Sequence, residues 1–201
     1  MGLRESSENS HSAILEWWLI PALLIVVTTV INLFGEPGRE LLRYDRVWIG
    51  QGETWRLLSG HFAHLGWSHL MLNIAGLVLI WVLVGRRFHT VQWLIVMVIT
   101  LITMSLGFWI LNPELYWYVG MSGMLHGVLA AGVIVVLPKM NTETLLLAVL
   151  LVGKIAWEQI AGPMPGSVTT SGGAVVVDAH LYGAIGGVLG ALLLKIRRQQ
   201  D

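Results

Sequence analysis

Cysteine is absent from this chain. That excludes disulfides, thiolate metal sites and a cysteine nucleophile. Charge is scarce as well. Only 12% of the 201 residues are Asp, Glu, Lys or Arg, about half the roughly 25% usual in soluble domains. Twelve Lys and Arg balance twelve Asp and Glu, so no excess of one sign argues for a nucleic-acid partner. Internal repeats and low-complexity tracts are missing. So are the marks of a cleaved leader: residues 1–12 are polar, and no A-x-A-like site follows the first apolar run. That run is therefore expected to remain as a membrane helix.

What is abundant is apolar sequence. Hydrophobic residues make up 55% of the chain, and mean hydropathy is +0.72. They come in long blocks, which points to a polytopic membrane protein. Six segments of near-spanning length are expected at about 17–34, 69–85, 91–111, 122–137, 144–160 and 179–196. Arg86-Arg87, Asn112-Pro113, Pro138-Lys139, Gly162-Pro163 and Arg197-Arg198 stop the later five in turn. Four of the ten tryptophans, Trp17, Trp18, Trp67 and Trp117, lie at ends of apolar runs, as in an interfacial belt. The expected fold is an all-α membrane bundle of six transmembrane helices over 13–198, preceded by a polar cytoplasmic N-terminus at 1–12.

The first connection, about 35–66, is long for a bundle, where roughly 2–8 residues is usual. It mixes Leu41, Tyr44, Trp48 and Trp55 with balanced charge. This predicts a partly folded loop lying in the membrane interface. The stretch 166–173 reads as a flexible Gly/Ser/Thr loop. With the N-terminus in the cytoplasm, Arg4, Arg86, Arg87, Lys139, Lys195, Arg197 and Arg198 all fall inside. Arg39, Arg43, Arg46 and Arg56 share the long outer loop. The positive-inside bias thus places both termini in the cytoplasm.

Three polar clusters then fall at equal depth on the outer side. His64, His69 and Asn73 open the second segment, Ser122 and His126 the fourth, and Asp178 and His180 the sixth. Polar groups at membrane depth are costly and usually face the bundle interior or a wet cavity. His69 and Asn73 share a helix face by their i, i+4 spacing, as do Ser122 and His126. Gly123, Gly127 and Ala131 recur every four residues, and so do Gly183 and Gly187. Such faces let two helices approach closely, which would bring Ser122 within hydrogen-bond reach of His180. A neutral imidazole can take the serine proton and release a nucleophile against a carbonyl carbon. The Ser122 backbone N–H, at a helix N-terminus, suits the resulting oxyanion, and His69 and Asn73 offer further N–H groups. His64 either helps hold water or is structural.

The constellation resembles the rhomboid family of intramembrane serine proteases. Trp55-Arg56 followed by His64, His69 and Asn73 repeats that family's W-R and H-x(4)-H-x(3)-N pattern. Gly120-Met121-Ser122-Gly123 repeats its G-x-S-G, and Ala179-His180-Leu181-Tyr182-Gly183 its A-H-x-x-G. The resemblance spans about 17–196. It implies a Ser122–His180 dyad with no required acid, and an oxyanion hole of His69, Asn73 and the Ser122 amide. It also implies a bracing role for Trp55 and Arg56, a moving fifth segment as substrate gate, and no cofactor or metal. The substrate would be a membrane-anchored protein with a transmembrane segment, cut in a bacterial cytoplasmic membrane near its periplasmic face. His126 departs from the family pattern, which often has tyrosine there; it is a stacking support or a packing residue. G-x-S-G-x-x-H and D-A-H-L-Y-G-A look like the rhombosortase subgroup. Those enzymes are linked to proteins ending in Gly-Gly, a transmembrane helix and a basic tail.

Plainer readings stand beside these. Gly120 and Gly123 support the serine turn or simply pack. His61 reads as interfacial, Asp178 as a solvated loop acid, and Lys154 with Glu158 as a snorkelling pair. Two other classes compete with a protease. His64, His69, His126 and His180 are imidazoles suited to zinc, copper or iron, as in a metal-binding or transport protein; against it, no acid accompanies them in the second or fourth segment. A rhomboid-like protein that binds clients without cutting them would usually lack the serine or the histidine, and both are here.

Overall fold

The computed structural model of the protein describes residues 2–137 and 141–198. Helices carry nearly all of it, in the order α1 (Gly2–Leu33), α2 (Gly35–Leu42), α3 (Arg46–Gly50), α4 (Arg56–Ser59), α5 (Trp67–Val84), α6 (Thr90–Leu111), α7 (Ser122–Val135), α8 (Thr142–Ala161), α9 (Ser167–Ser171) and α10 (Val177–Arg198). Five stretches are long and apolar enough to cross a membrane: Glu16–Leu33, Trp67–Arg87, Thr90–Leu111, Thr142–Ala161 and Val177–Lys195. The sixth apolar helix, α7, is shorter, at 14 residues. The protein is a multi-pass membrane protein with an all-α bundle. Pro138 and Lys139, expected to end the fourth segment, lie outside the described residues, as does Met1.

α7 is walled in by its neighbours. Gly123, Met124, Gly127, Val128, Ala130 and Ala131 are all buried. α10 packs along it, and here side chains would be fatal to the fit. A Cβ on Gly183 would overlap the Gly123 carbonyl, and one on Gly187 the Gly127 carbonyl. The other face of α10 meets α6, where a Cβ on Gly186 would strike the Thr100 backbone. The core below the site joins Leu77, Trp81, Trp93, Val96 and Val128 from α5, α6 and α7.

Polar backbone in this apolar setting must find partners within the protein. Pro21 lies inside α1 and has no N–H, so the carbonyl four residues earlier, at Trp17, loses its helical donor. The Trp81 indole supplies one at 2.7 Å. At the far end of α6 the last carbonyls are capped by Arg46, whose guanidinium donates to Phe108 O at 3.2 Å and Trp109 O at 2.8 Å. Cationic side chains suit a helix C-terminus.

The loop over 35–66 is folded, as its composition predicts. It holds α2, α3 and α4, and a two-residue strand β1 (Tyr44–Asp45) pairing antiparallel with β2 (Trp117–Tyr118). Arg56 is buried. It donates to the Glu40 and Arg43 carbonyls at 2.8 and 3.1 Å and to Glu53 at 2.5 Å. Trp55 beside it is exposed. The segment over 166–173 departs from the expectation of a flexible loop. Gly166 and Gly172, at φ +80° and +77°, cap the short helix α9 at either end, and Ser68 donates to the Thr170 carbonyl, tying α9 to α5.

Candidate active site

Three helix N-termini and one C-terminal half converge on a cavity of about 350 Å³. Ser122 is the first residue of α7, and His180 lies in the first turn of α10. The glycine contact between those helices sets their spacing, and Ser122 Oγ lies 2.9 Å from His180 Nε2. The turn before the serine is unusual: Gly120 has φ +134°, in the region that favours glycine. A Cβ there would also crowd the His69 ring. The amides of the first residues of α7 have no acceptor within the helix, and the positive end of the helix dipole lies at the serine.

On α5, the Leu65 N–H donates to His69 Nδ1 at 3.3 Å. Nε2 therefore carries the ring proton, and His69 lines the cavity as a donor. Asn73 uses one amide proton on the His69 carbonyl at 3.0 Å and keeps the other. His126 stacks on His180, with ring centroids 4.2 Å apart and planes 20° from parallel. Its Nδ1 donates to the Ser122 carbonyl at 2.7 Å, so the ring is held by one face and one edge.

His64 lies outside the cavity lining. It is buried with neither ring nitrogen hydrogen-bonded, and its ring meets that of His69 nearly at right angles, with centroids 5.1 Å apart. Burial pulls its pKa down to about 3, with the His69 charge adding to the effect. His61 is fully buried, not interfacial; it sits on Ser105 Oγ at 3.3 Å and stacks with Phe108. Burial lowers its pKa to about 4.

A family comparison matches the Rhomboid domain to residues 51–197. The chain belongs to the rhomboid family. It is also 25% identical, over 154 residues, to a Bacillus subtilis (strain 168) protein named "Putative rhomboid protease YdcA"; the match covers 76% of this chain and 73% of that one.

Two features of this rhomboid site run against the sequence reading. Lys154 and Glu158 are no snorkelling pair. Glu158 is 2% exposed, with Oε2 2.8 Å from His180 Nδ1 and Oε1 accepting from Lys154 Nζ at 2.7 Å. Spacing showed that the two share a face of α8, but not that the face turns inward. Asp178 is no solvated loop acid. It lies in the first turn of α10 and accepts from Asn112 at 2.7 Å, while Tyr182 donates to the same Asn112 at 2.6 Å. Asp178 thus ties α10 to the end of α6 rather than touching His180. Tyr118 was missed altogether. Its buried hydroxyl donates to the Gly120 carbonyl at 2.6 Å and braces the serine turn; burial pushes its pKa up. A two-residue strand carries no periodicity that could have revealed it.

The four-histidine metal site does not assemble. Among the described residues, the group with metal-ligand spacing is His126, Glu158 and His180. Lys154 Nζ already sits against two of its members, 2.7 Å from Glu158 Oε1 and 3.3 Å from His180 Nδ1. A second cation there would face an ammonium and displace an existing hydrogen bond.

Proposed function

We propose that the protein is an intramembrane serine endopeptidase acting on membrane-anchored proteins. The observation that carries this reading is the 2.9 Å approach of Ser122 Oγ to His180 Nε2 on a cavity wall. His180 takes the Ser122 proton as Oγ bonds to the scissile carbonyl carbon. The oxyanion is held by the Ser122 amide, His69 Nε2–H and the free Asn73 amide proton. Collapse of that intermediate breaks the C–N bond, and His180 returns its proton to the leaving amine. Water, deprotonated by the same imidazole, then attacks the ester and frees Ser122. Transfer of the acyl group to an amine instead of water would use the same steps. A regular helix hides its carbonyls, so the substrate helix unwinds near the cut.

The home of this chemistry is the bacterial cytoplasmic membrane, with the site toward the periplasm and both termini in the cytoplasm. The substrate class is the rhombosortase-like one, proteins with a C-terminal Gly-Gly, transmembrane helix and basic tail, supported by Gly120–Gly123, His126 and the 178–184 pattern. Co-expression of such a protein with wild type, Ser122→Ala and His180→Ala tests both levels. Cleavage by wild type alone is expected, and the product mass separates hydrolysis from transfer. Cleavage of an unrelated single-pass rhomboid substrate in its place would support a general rhomboid protease. Equal cleavage by all three would overturn the assignment of Ser122 and His180.

A further inference from the structure

Glu158 is a carboxylate in the wall of the cavity, 2% exposed, on a helix long and apolar enough to cross a membrane. A buried carboxylate is costly unless both oxygens are satisfied. Here one oxygen accepts from Lys154 at 2.7 Å and the other lies 2.8 Å from His180 Nδ1. These two contacts fix the protonation of the histidine. With Lys154 beside it the carboxylate is ionised and can only accept, so the proton shared with His180 sits on Nδ1. Lys154 Nζ, at 3.3 Å from Nδ1, faces a nitrogen that already carries hydrogen, and its short bond goes to Glu158. Nε2 is then the unprotonated nitrogen, and Nε2 is the one that faces Ser122 Oγ at 2.9 Å. That is the only tautomer in which His180 can take the serine proton.

We propose that Glu158, anchored by Lys154, is the positioning acid of His180, so that the site works as a Ser122–His180–Glu158 triad. The proposal rests on the protease reading above and changes it in one respect: the histidine is held in its working tautomer by an acid, not by packing alone. When the imidazole becomes imidazolium in the transition state, Glu158 faces the new positive charge across one hydrogen bond. The stack of His126 on the ring fixes its plane; Glu158 fixes which nitrogen is bare. Glutamine at 158 keeps the shape but offers an N–H to Nδ1, which selects the opposite tautomer and turns a proton toward Ser122.

The test uses the purified full-length protein in detergent micelles. The rate of Ser122 labelling by a fluorophosphonate is measured for wild type, Glu158→Gln, Glu158→Asp and Ser122→Ala, together with the His180 ring tautomer by ¹⁵N NMR. Glu158→Gln is expected to slow labelling on the order of 10²–10⁴-fold, as for tautomer loss in serine triads, with His180 shifting from Nδ1–H to Nε2–H. Glu158→Asp should recover at least about tenfold of that loss, which a purely structural defect would not show. Labelling of Glu158→Gln within about threefold of wild type would overturn the triad. So would an Nε2–H tautomer in the wild-type protein, a readout that needs no variant to fold. Ser122→Ala separates the two claims: labelling that persists in it sinks the protease reading itself, while its loss alongside an unaffected Glu158→Gln sinks the triad alone.

Discussion

Asn73 faces the cavity with one amide proton committed to the His69 carbonyl and one free. A donor that meets charge only in the transition state acts on kcat and leaves KM nearly alone. Asn73→Ala should therefore lower kcat on the order of 10²–10³-fold, read from initial cleavage rates over a range of substrate densities in proteoliposomes. A fall in apparent affinity with kcat unchanged would make Asn73 a binding residue instead. His61 and His64 act on stability. Both are buried and neutral, with pKa values lowered to about 4 and about 3. Above their ordinary value, near 6.5, neither state binds the proton and stability is full. As pH falls below it, the unfolded chain takes up protons that the folded rings refuse, and stability drops. The loss is at most about 2 kcal/mol per ring near pH 5. Thermal unfolding in micelles should show a lower midpoint at pH 5 than at pH 7.5, and His64→Leu should reduce that dependence. An unchanged slope in the variant would mean that His64 is protonated in the fold.

Between elements, the decisive contact is the glycine seam of α7 and α10. A methyl group on Gly183 has nowhere to go but into the Gly123 carbonyl, so Gly183→Ala must push the helices apart. Since those helices carry Ser122 and His180, fluorophosphonate labelling should fall at least about tenfold while the midpoint of unfolding falls, by overpacking of roughly 1–3 kcal/mol. Full labelling would show that α10 can slide without moving His180. This seam was readable in the sequence, because small residues at four-residue spacing have one use between helices. The helix spans were readable too, since hydropathy alone identifies membrane segments. What α8 contributes was not. Its apolar length marks a span, but Lys154 and Glu158 on such a helix fit an outward, snorkelling face as well as an inward one. Only the packing of α8 on α7 and α10 fixes its rotation. That rotation bears on gating. If α8 swings to admit a substrate helix, it carries Glu158 away from His180. A short thiol cross-link between cysteines placed on α5 and α8 across the cleft should stop cleavage of a membrane-anchored substrate while leaving labelling by a small fluorophosphonate intact. Unchanged substrate cleavage would sink α8 as the gate, and loss of both activities would mean that the link distorts the site.

At the scale of the whole molecule, the distribution of positive charge bears on which way the cavity faces. The arginines of the 35–66 loop are taken up by the fold: Arg39 donates to the Leu65 carbonyl, Arg43 pairs with Glu40 and Asp45, Arg46 caps α6, and Arg56 holds the Glu40 and Arg43 carbonyls. They serve as the internal fastening of a folded cap. Arg86 and Arg87 follow α5 at the opposite end, where Arg86 covers the Trp17 ring at 4.5 Å and Arg87 donates to the Gly132 carbonyl at 2.8 Å. Orientation follows positive charge in short loops near span ends, and long loops cross largely regardless of charge. The short connection after α5 therefore outweighs the long cap, and the cavity end is expected in the periplasm. A chain without cysteine allows a clean check. Thr54→Cys stands exposed on the cap, and Thr142→Cys stands exposed at the opposite end, where α8 begins. In intact spheroplasts a membrane-impermeant maleimide should label the first and spare the second, with both labelled after lysis. The reverse pattern would turn the site toward the cytoplasm, and no substrate displayed on the periplasmic side could then reach Ser122.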